Sequence, residues 1–466
     1  MFKIYNHYVS KATLLLMLIE ILLLVLAFYV GTAVRLANEP EMLERELGQF
    51  LLPGMVFALA IVFSMSAFGM YQLNFTQTLR GRLTQLIPSF VMGFAILTLL
   101  FYVVPALYVG RGILLLVLAI SLAAILLVRA VFITGSPHRL LSTRLIFLGH
   151  GALARDCAAL AANPVICHKY RIAGYVATAS ETCCVPPGSL LNLEAGMSLA
   201  ALARRYKVRE IVVTIQDRRG GALPIKELLE CKLNGVAVTD ATSFFERETC
   251  QIRVDSLQPS WLVFGGGFDQ SHFRSVMKRS FDLLVSLVIL VLALPVMLLA
   301  AACIVGEDGG PVFYQQERVG KNGCTFHILK FRSMGQNAES GGSPQWAQVR
   351  DPRVTRIGHL LRKLRIDELP QLLNVFKGEM SFVGPRPERP FFVDQLNAQL
   401  RYYQVRHSIK PGITGWAQVR YGYGATVEDA IQKLQYDLYY VKNNSLFLDL
   451  VVMVDTLKVV LFGSGR

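Results

Sequence analysis

The sequence predicts a membrane protein of the α plus α/β class, built from three successive parts. Hydrophobic residues make up 53% of the 466 residues, and the mean hydropathy of +0.43 exceeds that of an ordinary soluble protein. Apolar segments fill residues 1–140, strand and helix patterns fill 144–255, and a charged region follows. We therefore expect a four-helix transmembrane bundle, a Rossmann-like α/β domain, and a re-entrant membrane helix joined to a cytoplasmic α+β domain.

Four apolar segments predict the transmembrane bundle, because each can cross a hydrocarbon core of about 30 Å as a helix. They are residues 12–34, 51–71, 87–107 and 112–133. The first has no small-residue cleavage site after it, so we interpret it as a retained anchor rather than a signal peptide. Residues 36–50 are mainly acidic, whereas Arg80, Arg82 and the stretch 138–144 are basic. The positive-inside rule then places both ends of the bundle in the cytoplasm.

Residues 144–255 have the pattern of a Rossmann-like α/β domain. Residues 144–163 read as a strand, a glycine turn and an alanine-rich helix, and 209–215 read as a buried strand. The turn Gly149-x-Gly151-x-x-Ala154 suits a phosphate at a helix N-terminus. No acidic residue stands about 20 positions later to hold a ribose, so a structural turn in a regulatory or oligomerising domain is the alternative. Residues 256–275 are the expected linker.

A fifth apolar segment, 281–305, opens the third domain, which we expect to comprise residues 276–466. If this segment crossed the membrane, the charged region after it would lie outside the cell. Pro295 at its middle removes a backbone donor and favours a kink. Basic residues flank the segment on both sides: Lys278, Arg279, Arg318 and Lys321. We therefore expect a re-entrant helix that enters and leaves on one face, with a simple fifth span as the alternative.

Residues 310–334 read as a β-hairpin. Its turn is Lys321-Asn322-Gly323, and it ends in Lys330-Phe331-Arg332. Cations at the end of a hairpin can neutralise a phosphate. A solvated basic edge strand has a similar composition, so the hairpin alone does not decide between these two interpretations.

An adjacent pair of acids, Asp367 and Glu368, follows a basic amphipathic stretch. Residues 356–365 combine leucines with cations, as expected for a helix at a membrane interface. Asp367 falls where an N-cap would stand, with Pro370 in the first turn of the next helix, and Glu368 would then complement the helix dipole. This structural interpretation leaves unexplained the arginines that bracket the pair: Arg362, Arg365 and Arg386.

Several motifs in order make the last part of the chain resemble a known family. They are Lys278-Arg279-x-Phe281-Asp282, Gly310-Pro311-Val312-Phe313, Lys330-Phe331-Arg332-Ser333-Met334, Asp367-Glu368-Leu369-Pro370-Gln371, Gly384-Pro385-Arg386-Pro387 and Lys410-Pro411-Gly412-Ile413-Thr414-Gly415-Trp416. Residues 275–466 thereby resemble the catalytic domain of bacterial polyprenyl-phosphate hexose-1-phosphate transferases, the monotopic phosphoglycosyl transferases that start exopolysaccharide assembly. The four spans and the Rossmann-like domain, which is similar to CoA-binding domains, resemble the large members, notably those of exopolysaccharide and PEP-CTERM systems. Residues 304–314 depart from the family, which usually has a lysine and a small polar residue before the Gly-Pro.

The resemblance implies that hexose-1-phosphate passes from a UDP-hexose to undecaprenyl phosphate, giving polyprenyl-diphospho-sugar and UMP by a ping-pong mechanism. Asp367 would be the nucleophile that holds the sugar phosphate between the two steps, and Glu368 would ligate Mg²⁺. Lys330 and Arg362 would complete the catalytic group by neutralising phosphate charge. The substrate-binding residues would be Arg332, Arg386, Lys410, Asp437 and Asp449. The resemblance also implies a bacterial inner-membrane protein that contacts membrane lipids, with its catalytic domain facing the cytoplasm.

Other functions fit the sequence less well. The net charge of +14 would also suit nucleic acid, but no stretch resembles a nucleic-acid-binding module. A membrane-anchored nucleotide-sugar dehydratase or epimerase usually needs a Tyr-x-x-x-Lys pair, and none of the 17 tyrosines has a lysine four residues later. A non-catalytic assembly scaffold is a third alternative, against which the intact acids argue. The eight cysteines lack CxxC or zinc spacing. The sequence leaves a homodimer and the identity of the sugar open.

Overall fold

The structure is a computed structural model of the chain. It describes residues 2–4, 7–9, 11–71, 79–134, 142–163, 166–178, 182–191, 197–216, 223–255, 267–268, 271–335, 353–422, 424 and 426–462. These residues form two compact units, one of Met1–Phe2 and Tyr8–Thr249, the other of Lys3–His7 and Cys250–Arg466. The division falls just before the predicted linker 256–275, most of which lies outside the described residues.

Helices make up the first part of the first unit, after the short strands β1 (Phe2–Ile4) and β2 (His7–Val9). They are α1 (Lys11–Arg35), α2 (Pro40–Gln49), α3 (Leu51–Ala67), α4 (Leu79–Val103) and α5 (Arg111–Thr134). By length and composition, Thr13–Arg35, Gln85–Val103 and Arg111–Val131 can each cross a membrane. Helix α3 has only 17 residues, or about 25 Å at 1.5 Å per residue. The second predicted span is therefore shorter than expected, and the predicted acidic loop 36–50 contains α2.

A buried ion pair joins α1 to α5. Arg129 donates to both carboxylate oxygens of Glu20, at 2.6 and 3.1 Å, and to the carbonyl oxygen of Met70. Because an unpaired charge in hydrocarbon is costly, this pair constrains how the two helices align. The side chains of Arg80 and Arg82, on which the orientation was based, lie outside the described residues, as does most of 138–144. The cytoplasmic orientation of the bundle stays a prediction.

A parallel sheet forms the second part of the first unit. Its strands are β3 (Thr143–Leu148), β4 (Tyr170–Val176), β5 (Leu190–Leu191), β6 (Glu210–Val213) and β7 (Ala237–Asp240). They lie side by side in the order β5-β4-β3-β6-β7, and every adjacent pair is parallel. Doubly wound dinucleotide-binding folds place their first five strands in this order. The α/β part of the prediction is confirmed.

Helices cover both faces of this sheet, because alternate residues of β3 point to opposite sides. Phe147 packs with α6 (Ala152–Ala162) and α9 (Ala241–Thr249). Ile146 packs on the other face, where the helices are α7 (Leu199–Arg205) and α8 (Ile225–Leu233). Gly149, which follows β3, has φ 121, a conformation that favours glycine. That the turn binds a phosphate stays a prediction.

The second unit contains the charged part of the chain. Its helices are α10 (His272–Asp308), α11 (Arg356–Lys363), α12 (Gln371–Lys377), α13 (Pro390–Gln399), α14 (Trp416–Arg420), α15 (Val427–Asn443) and α16 (Leu446–Phe462). Its strands are β8 (Phe313–Val319), β9 (Thr325–Phe331), β10 (Ser381–Val383) and β11 (Gly412–Thr414). The antiparallel pair β8–β9 confirms the predicted hairpin, and Asn322 and Gly323 in its turn have φ of 56 and 80. The parallel pair β10–β11 was not predicted.

Helix α10 is continuous over 37 residues, with Pro295 inside it. It extends beyond the predicted 281–305 at both ends, and by length and composition it can also span a membrane. Near its start, Arg279 donates to the carbonyl oxygens of Val375 and Phe376, at the end of α12. The re-entrant path of α10 stays a prediction.

His7 packs inside the second unit, to which residues Lys3–His7 belong. Its Nδ1 atom lies 2.9 Å from the hydroxyl oxygen of Tyr439, and its ring meets that of Trp416 edge to face at 5.5 Å. Trp416 is almost fully buried and donates from Nε1 to the carbonyl oxygen of Cys250. Trp416 is therefore a core residue.

Candidate active site

Asn374 on α12 fixes the end of the hairpin next to the acid pair. Its Nδ2 atom donates to the carbonyl oxygen of His327 at 2.8 Å, and its Oδ1 atom accepts from the amide of Leu329 at 3.0 Å. Both contacts are on β9, immediately before Lys330. The Lys330 ammonium consequently lies 3.4 Å from Oε1 of Glu368.

Helix α11 packs tightly against the residues that follow β9. Thr355 caps it by accepting a hydrogen bond from the amide of Gly358 at 2.9 Å. A Cβ atom on Gly358 would lie 2.1 Å from the carbonyl oxygen of Ser333, so only glycine permits this approach. Four residues later, Arg362 donates from Nε to Oγ of Ser333 at 2.9 Å. Arg362 is thereby held close enough to influence Asp367 electrostatically.

The leucines of the predicted interfacial helix divide between two environments. Leu361 is buried, whereas Leu360 and Leu364 are each 51% exposed. The helix ends at Lys363, two residues before the predicted end. The exposed leucines keep the apolar surface that the interfacial prediction requires.

Asp367 is not a helix N-cap, so that prediction is wrong. Arg365 adopts a left-handed conformation with φ 58, and Ile366–Glu368 forms a separate 3₁₀ turn. Helix α12 begins only at Gln371, with Pro370 as its N-cap. The left-handed residue ends α11 and starts the turn, so the acids precede the helix instead of capping it. The carboxylate of Asp367 is therefore not used in capping α12.

Glu368 is surrounded by cations. Its Oε1 atom lies 3.2 Å from Nη2 of Arg386, 3.4 Å from Nζ of Lys330 and 3.8 Å from Nη1 of Arg365. Burial alone would raise its pKa, but Lys330, Arg386 and Arg365 together lower the pKa of Glu368 to about 2. Glu368 is therefore ionised at neutral pH.

Asp367 lies in a different environment from Glu368. It is 8% exposed, and its Oδ1 atom is buried with no hydrogen-bond partner in the part of the chain that the structure describes. Burial and the negative charge of Glu368 raise the pKa of Asp367, against the opposing charges of Lys330 and Arg362. A buried, unpartnered carboxyl oxygen among cations is poorly stabilised, which suits a group that reacts.

Three predicted substrate-binding residues have internal partners instead. Arg332 donates to the carbonyl oxygens of Asp308, Gly309 and Gly310. Asp437 forms an ion pair with Arg406 at 2.7 Å, and Asp449 forms one with Lys278 at 2.9 Å. The two ion pairs neutralise Asp437 and Asp449, and backbone carbonyls occupy the guanidinium of Arg332, so a direct role of these residues in binding substrate has no support from their geometry.

Lys410 lies at the far end of α12 from the acids. Its ammonium is 3.5 Å from where a Cβ atom on Gly378 would lie, after the last turn of that helix, and Arg279 is near the same point. Burial and the charge of Arg279 lower the pKa of Lys410. The structure therefore does not bring Lys410 to the acid pair, which stands before the first turn of α12.

The end of α10 is also part of this region, through a residue where the sequence departs from the family. Glu307 accepts hydrogen bonds from the amides of Arg356 and Ile357, at 2.9 and 3.0 Å. These are the first amides of α11, so Glu307 supplies an acceptor to a helix N-terminus. The departure at 304–314 thus has a structural reason in this chain.

Sequence reasoning missed two arginines next to the Arg386 loop, one buried and one partly buried. Arg318 appeared only as a basic residue flanking the apolar helix, and Arg406 was not singled out. Both donate to backbone carbonyl oxygens next to Arg386, as described below. Their proximity to Gly384-Pro385-Arg386-Pro387 comes from distant parts of the chain, so no local pattern indicated it.

The carboxylate donors of this site fit a Mg²⁺ ion. The described residues contain no group of three or more His, Cys, Asp or Glu side chains that could hold a metal. Mg²⁺, however, commonly takes one or two carboxylates and completes its shell with water and substrate phosphates. The unpartnered Oδ1 of Asp367 and the carboxylate of Glu368 are such donors. The cations around Glu368 oppose a bare metal ion, so the site suits Mg²⁺ together with phosphate.

Comparison with known proteins gives one family model and several relatives of a consistent kind. Residues 273–463 match the family model described as bacterial sugar transferase. The UDP-N-acetylgalactosamine-undecaprenyl-phosphate N-acetylgalactosaminephosphotransferase of Aeromonas hydrophila is 44% identical over 238 residues, or 51% of this chain and 55% of that protein. The UDP-glucose:undecaprenyl-phosphate glucose-1-phosphate transferase of Xanthomonas campestris pv. campestris is 40% identical over 193 residues, or 41% and 40% of the two chains. The uncharacterized sugar transferase EpsL of Bacillus subtilis is 40% identical over 190 residues, which are 41% of this chain and 90% of that protein.

An acid pair within a group of cations, next to a long apolar helix, suits chemistry on phosphate groups at a membrane surface. The chain belongs to the bacterial sugar transferase family, because it covers nine-tenths of a relative with which it shares 40% identity. The chain matches about half or less of the length of the A. hydrophila and X. campestris relatives.

Proposed function

We propose that the protein transfers hexose-1-phosphate from a UDP-sugar to undecaprenyl phosphate, releasing UMP, as the first membrane step of exopolysaccharide synthesis. The observation that carries this proposal is the acid pair. Glu368 is ionised among cations, and Asp367 beside it has a buried carboxyl oxygen without a partner. The names of the A. hydrophila and X. campestris relatives supply the two substrate classes.

Asp367 is the nucleophile in this proposal. A carboxylate oxygen attacks the β-phosphorus of the UDP-sugar, the phosphoanhydride bond breaks, and UMP leaves with the electron pair. The sugar phosphate is then held as an acyl phosphate. An oxygen of polyprenyl phosphate attacks the same phosphorus, the acyl-phosphate bond breaks, and the carboxylate is released with the polyprenyl-diphospho-sugar.

The cations have separable tasks in this scheme. Lys330 and Arg386 already contact Glu368, and Arg386 has a side chain that is 40% exposed, so it can also face a substrate phosphate. Arg362 adds positive charge near Asp367. Mg²⁺, when bound by Glu368 and the diphosphate, would neutralise charge on the leaving UMP.

The contacts of α10 support a single-sided membrane path. Arg279 near its start and Glu307 at its end both bind elements of the second unit, namely α12 and α11. A helix that crossed the bilayer would separate its two ends by the membrane. The proposal therefore keeps α10 re-entrant, with the active site at the cytoplasmic face of the inner membrane, where a soluble sugar nucleotide meets a lipid phosphate.

Purified protein with Mg²⁺ and a panel of UDP-sugars, led by UDP-N-acetylgalactosamine and UDP-glucose, tests the reaction. Without lipid, we expect UMP release that stops at about one equivalent per enzyme. Adding undecaprenyl phosphate should give continuous turnover. Asp367→Asn should release no UMP, whereas the control Asp455→Asn, in an ion pair with Arg420, should retain wild-type rates. Full activity in Asp367→Asn, or no UMP from any UDP-sugar, would exclude the mechanism.

Cysteine labelling in intact cells tests the membrane path separately. In a cysteine-free background, single cysteines at position 277, before the apolar core of α10, and at position 324, in the hairpin turn, should both be protected from an impermeant reagent added outside. Labelling of only one of the two positions would show that α10 crosses the membrane.

A further inference from the structure

The loop Gly384–Glu388, which carries Arg386, is held at every carbonyl oxygen from residue 385 onward. The carbonyl of Pro385 accepts from the amide of Gly412 at 2.9 Å, and that of Glu388 accepts from the amide of Val319 at 2.9 Å. Between them, the carbonyls of Arg386 and Pro387 accept from the side chains of Arg406 and Arg318, at 2.9 and 3.0 Å. Two of the donors are neighbours on β8, Arg318 and Val319, and the other two are Arg406 and Gly412.

This loop depends on outside donors because of its sequence. Pro385 and Pro387 have no amide hydrogen, and their rings fix φ near −65°. The loop therefore offers mainly acceptors, and its path is set by the groups that donate to it. Two of these donors are side chains, so a substitution can remove either of them without changing the backbone.

All three guanidinium nitrogens of Arg406 donate hydrogen bonds. Its Nη1 atom donates to the hydroxyl of Tyr403 at 2.8 Å, its Nε donates to Asp437 at 3.0 Å, and Nη2 lies 2.7 Å from the same carboxylate. Arg406 is 5% exposed and Asp437 is 2% exposed. Both side chains are almost fully enclosed, and Arg406 meets the candidate site through the carbonyl oxygen of Arg386.

Arg318 donates to the carbonyl oxygen of Pro387, the residue after Arg386. It lies on β8, donates from Nη2 to Oε1 of Gln316 at 2.6 Å, and lies 3.6 Å from the carboxylate of Glu388. Its side chain is 16% exposed. Arg318 thus links the hairpin that carries Lys330 to the loop that carries Arg386.

We propose that Arg406, oriented by Asp437, and Arg318 are positioning residues that fix the Gly384–Glu388 backbone so that Arg386 reaches Glu368. The catalytic role of Arg386 in this inference rests on the proposed function. The geometry of the Gly384–Glu388 loop does not depend on it. It reassigns Asp437 from a substrate ligand to the orienting partner of Arg406. Preorganised cations contribute to catalysis because they need not move when charge develops.

Steady-state kinetics on Asp437→Asn and Arg318→Lys test this role, with Asp455→Asn as the matched control. We expect both test variants to lower kcat by about 10- to 100-fold with little change in KM for the UDP-sugar, because misplacement of a catalytic group by about 1 Å costs up to that factor. The control should keep wild-type kcat. Rates are referred to folded protein measured by size exclusion, so partial unfolding does not count as a catalytic defect.

A double-mutant cycle separates positioning from general damage. In an Arg386→Ala background, adding Arg318→Lys should change the remaining kcat by less than about twofold, because its target is gone. Multiplicative losses in the double variant would overturn the proposal, as would wild-type kcat in both single variants. If Asp437→Asn does not fold, Arg318→Lys alone gives the answer, since its side chain is less buried.

A structural measurement covers the case in which the wild type releases no UMP from any UDP-sugar. That result would reject the proposed function and leave the positioning role open to a direct test. In cryo-EM structures of Arg318→Lys and Asp437→Asn, the separation of Arg386 Nη2 and Glu368 Oε1 should exceed the 3.2 Å of the native chain. An unchanged separation in both variants would reject the positioning role itself.

Discussion

The adjacent carboxyl groups of Asp367 and Glu368 have pKa values shifted in opposite directions. Burial is the largest influence on both and raises both pKa values. For Glu368 the cations Lys330, Arg386 and Arg365 outweigh burial, so its pKa falls. For Asp367 the cations Lys330, Arg362 and Arg365 do not outweigh burial, and the charge of Glu368 adds to the effect of burial. One 3₁₀ turn thus holds one stabilised carboxylate and one destabilised carboxylate.

Neutralising each acid should therefore have opposite effects on stability at pH 7. A raised pKa in the folded state means that Asp367 opposes folding once it ionises, so Asp367→Asn should raise Tm at pH 7 and change it little below pH 3.8. Glu368 has a lowered pKa, so it stabilises the fold above its unfolded value of 4.5 and loses this contribution as the pH falls through about 2. Glu368→Gln should cost about 3 kcal/mol at pH 7. Thermal unfolding at pH 7 and pH 3.5 measures both, and equal signs for the two variants would contradict the assignment.

The His7–Tyr439 contact should make the second unit sensitive to mild acid. Burial, with a smaller contribution from the charge of Arg420, lowers the pKa of His7 from 6.5 to about 4. The neutral form is favoured in the fold, so its stabilising contribution is complete above pH 6.5 and is lost as the pH falls through about 4. Relative to His7→Gln, the wild type should lose up to about 3 kcal/mol over this range. Denaturant unfolding at intermediate pH values measures the difference, and parallel curves for the two proteins would refute it.

Lys278 should be essential for docking α10. It lies 2.9 Å from Asp449 and 3.1 Å from Asp282, both of them buried. Lys278→Met would leave two buried carboxylates without their cation, for which we expect a loss of about 3–5 kcal/mol. Lys226→Met, an exposed lysine on α8, is the control and should change stability by less than about 0.5 kcal/mol. A loss below about 1 kcal/mol in Lys278→Met would show that the lysine is not needed there.

Glu307 should matter to this chain although it departs from the family pattern. Glu307→Gln keeps one acceptor but removes the charge at the N-terminus of α11, so we expect a loss of about 0.5–1 kcal/mol. Glu307→Lys should cost more because it places a cation at the positive end of the helix. Thermal shift assays on both variants give the order, and a stabilising Glu307→Lys would contradict the capping role.

The sequence indicated those features whose causes are local. The hairpin followed from Lys321-Asn322-Gly323, because the conformations at Asn322 and Gly323 are set within the turn itself. Helix α10 followed from an uninterrupted apolar run. The N-cap prediction for Asp367 failed for a local reason that composition does not show, since the left-handed Arg365 started a new turn first.

Contacts between residues far apart in the chain could not be predicted from the sequence. Arg406 meets Asp437 and the carbonyl of Arg386 only because α15 and the loop after β10 are brought together by packing. The same holds for His7 and Tyr439, which no periodicity connects. Asp437 and Asp449 were recognised as noteworthy acids, but only their buried partners show that each one supports the fold.

The pairing of Lys278 with Asp449 has a consequence for biosynthesis. The ribosome makes Lys278 at the start of α10 long before it makes Asp449 on α16, close to the end of the chain. Until α16 has been made, the only one of its two carboxylate partners that Lys278 can pair with is Asp282 on its own helix. Docking of this helix is therefore completed late, and a chain that stops before α16 would lack the Lys278–Asp449 pair.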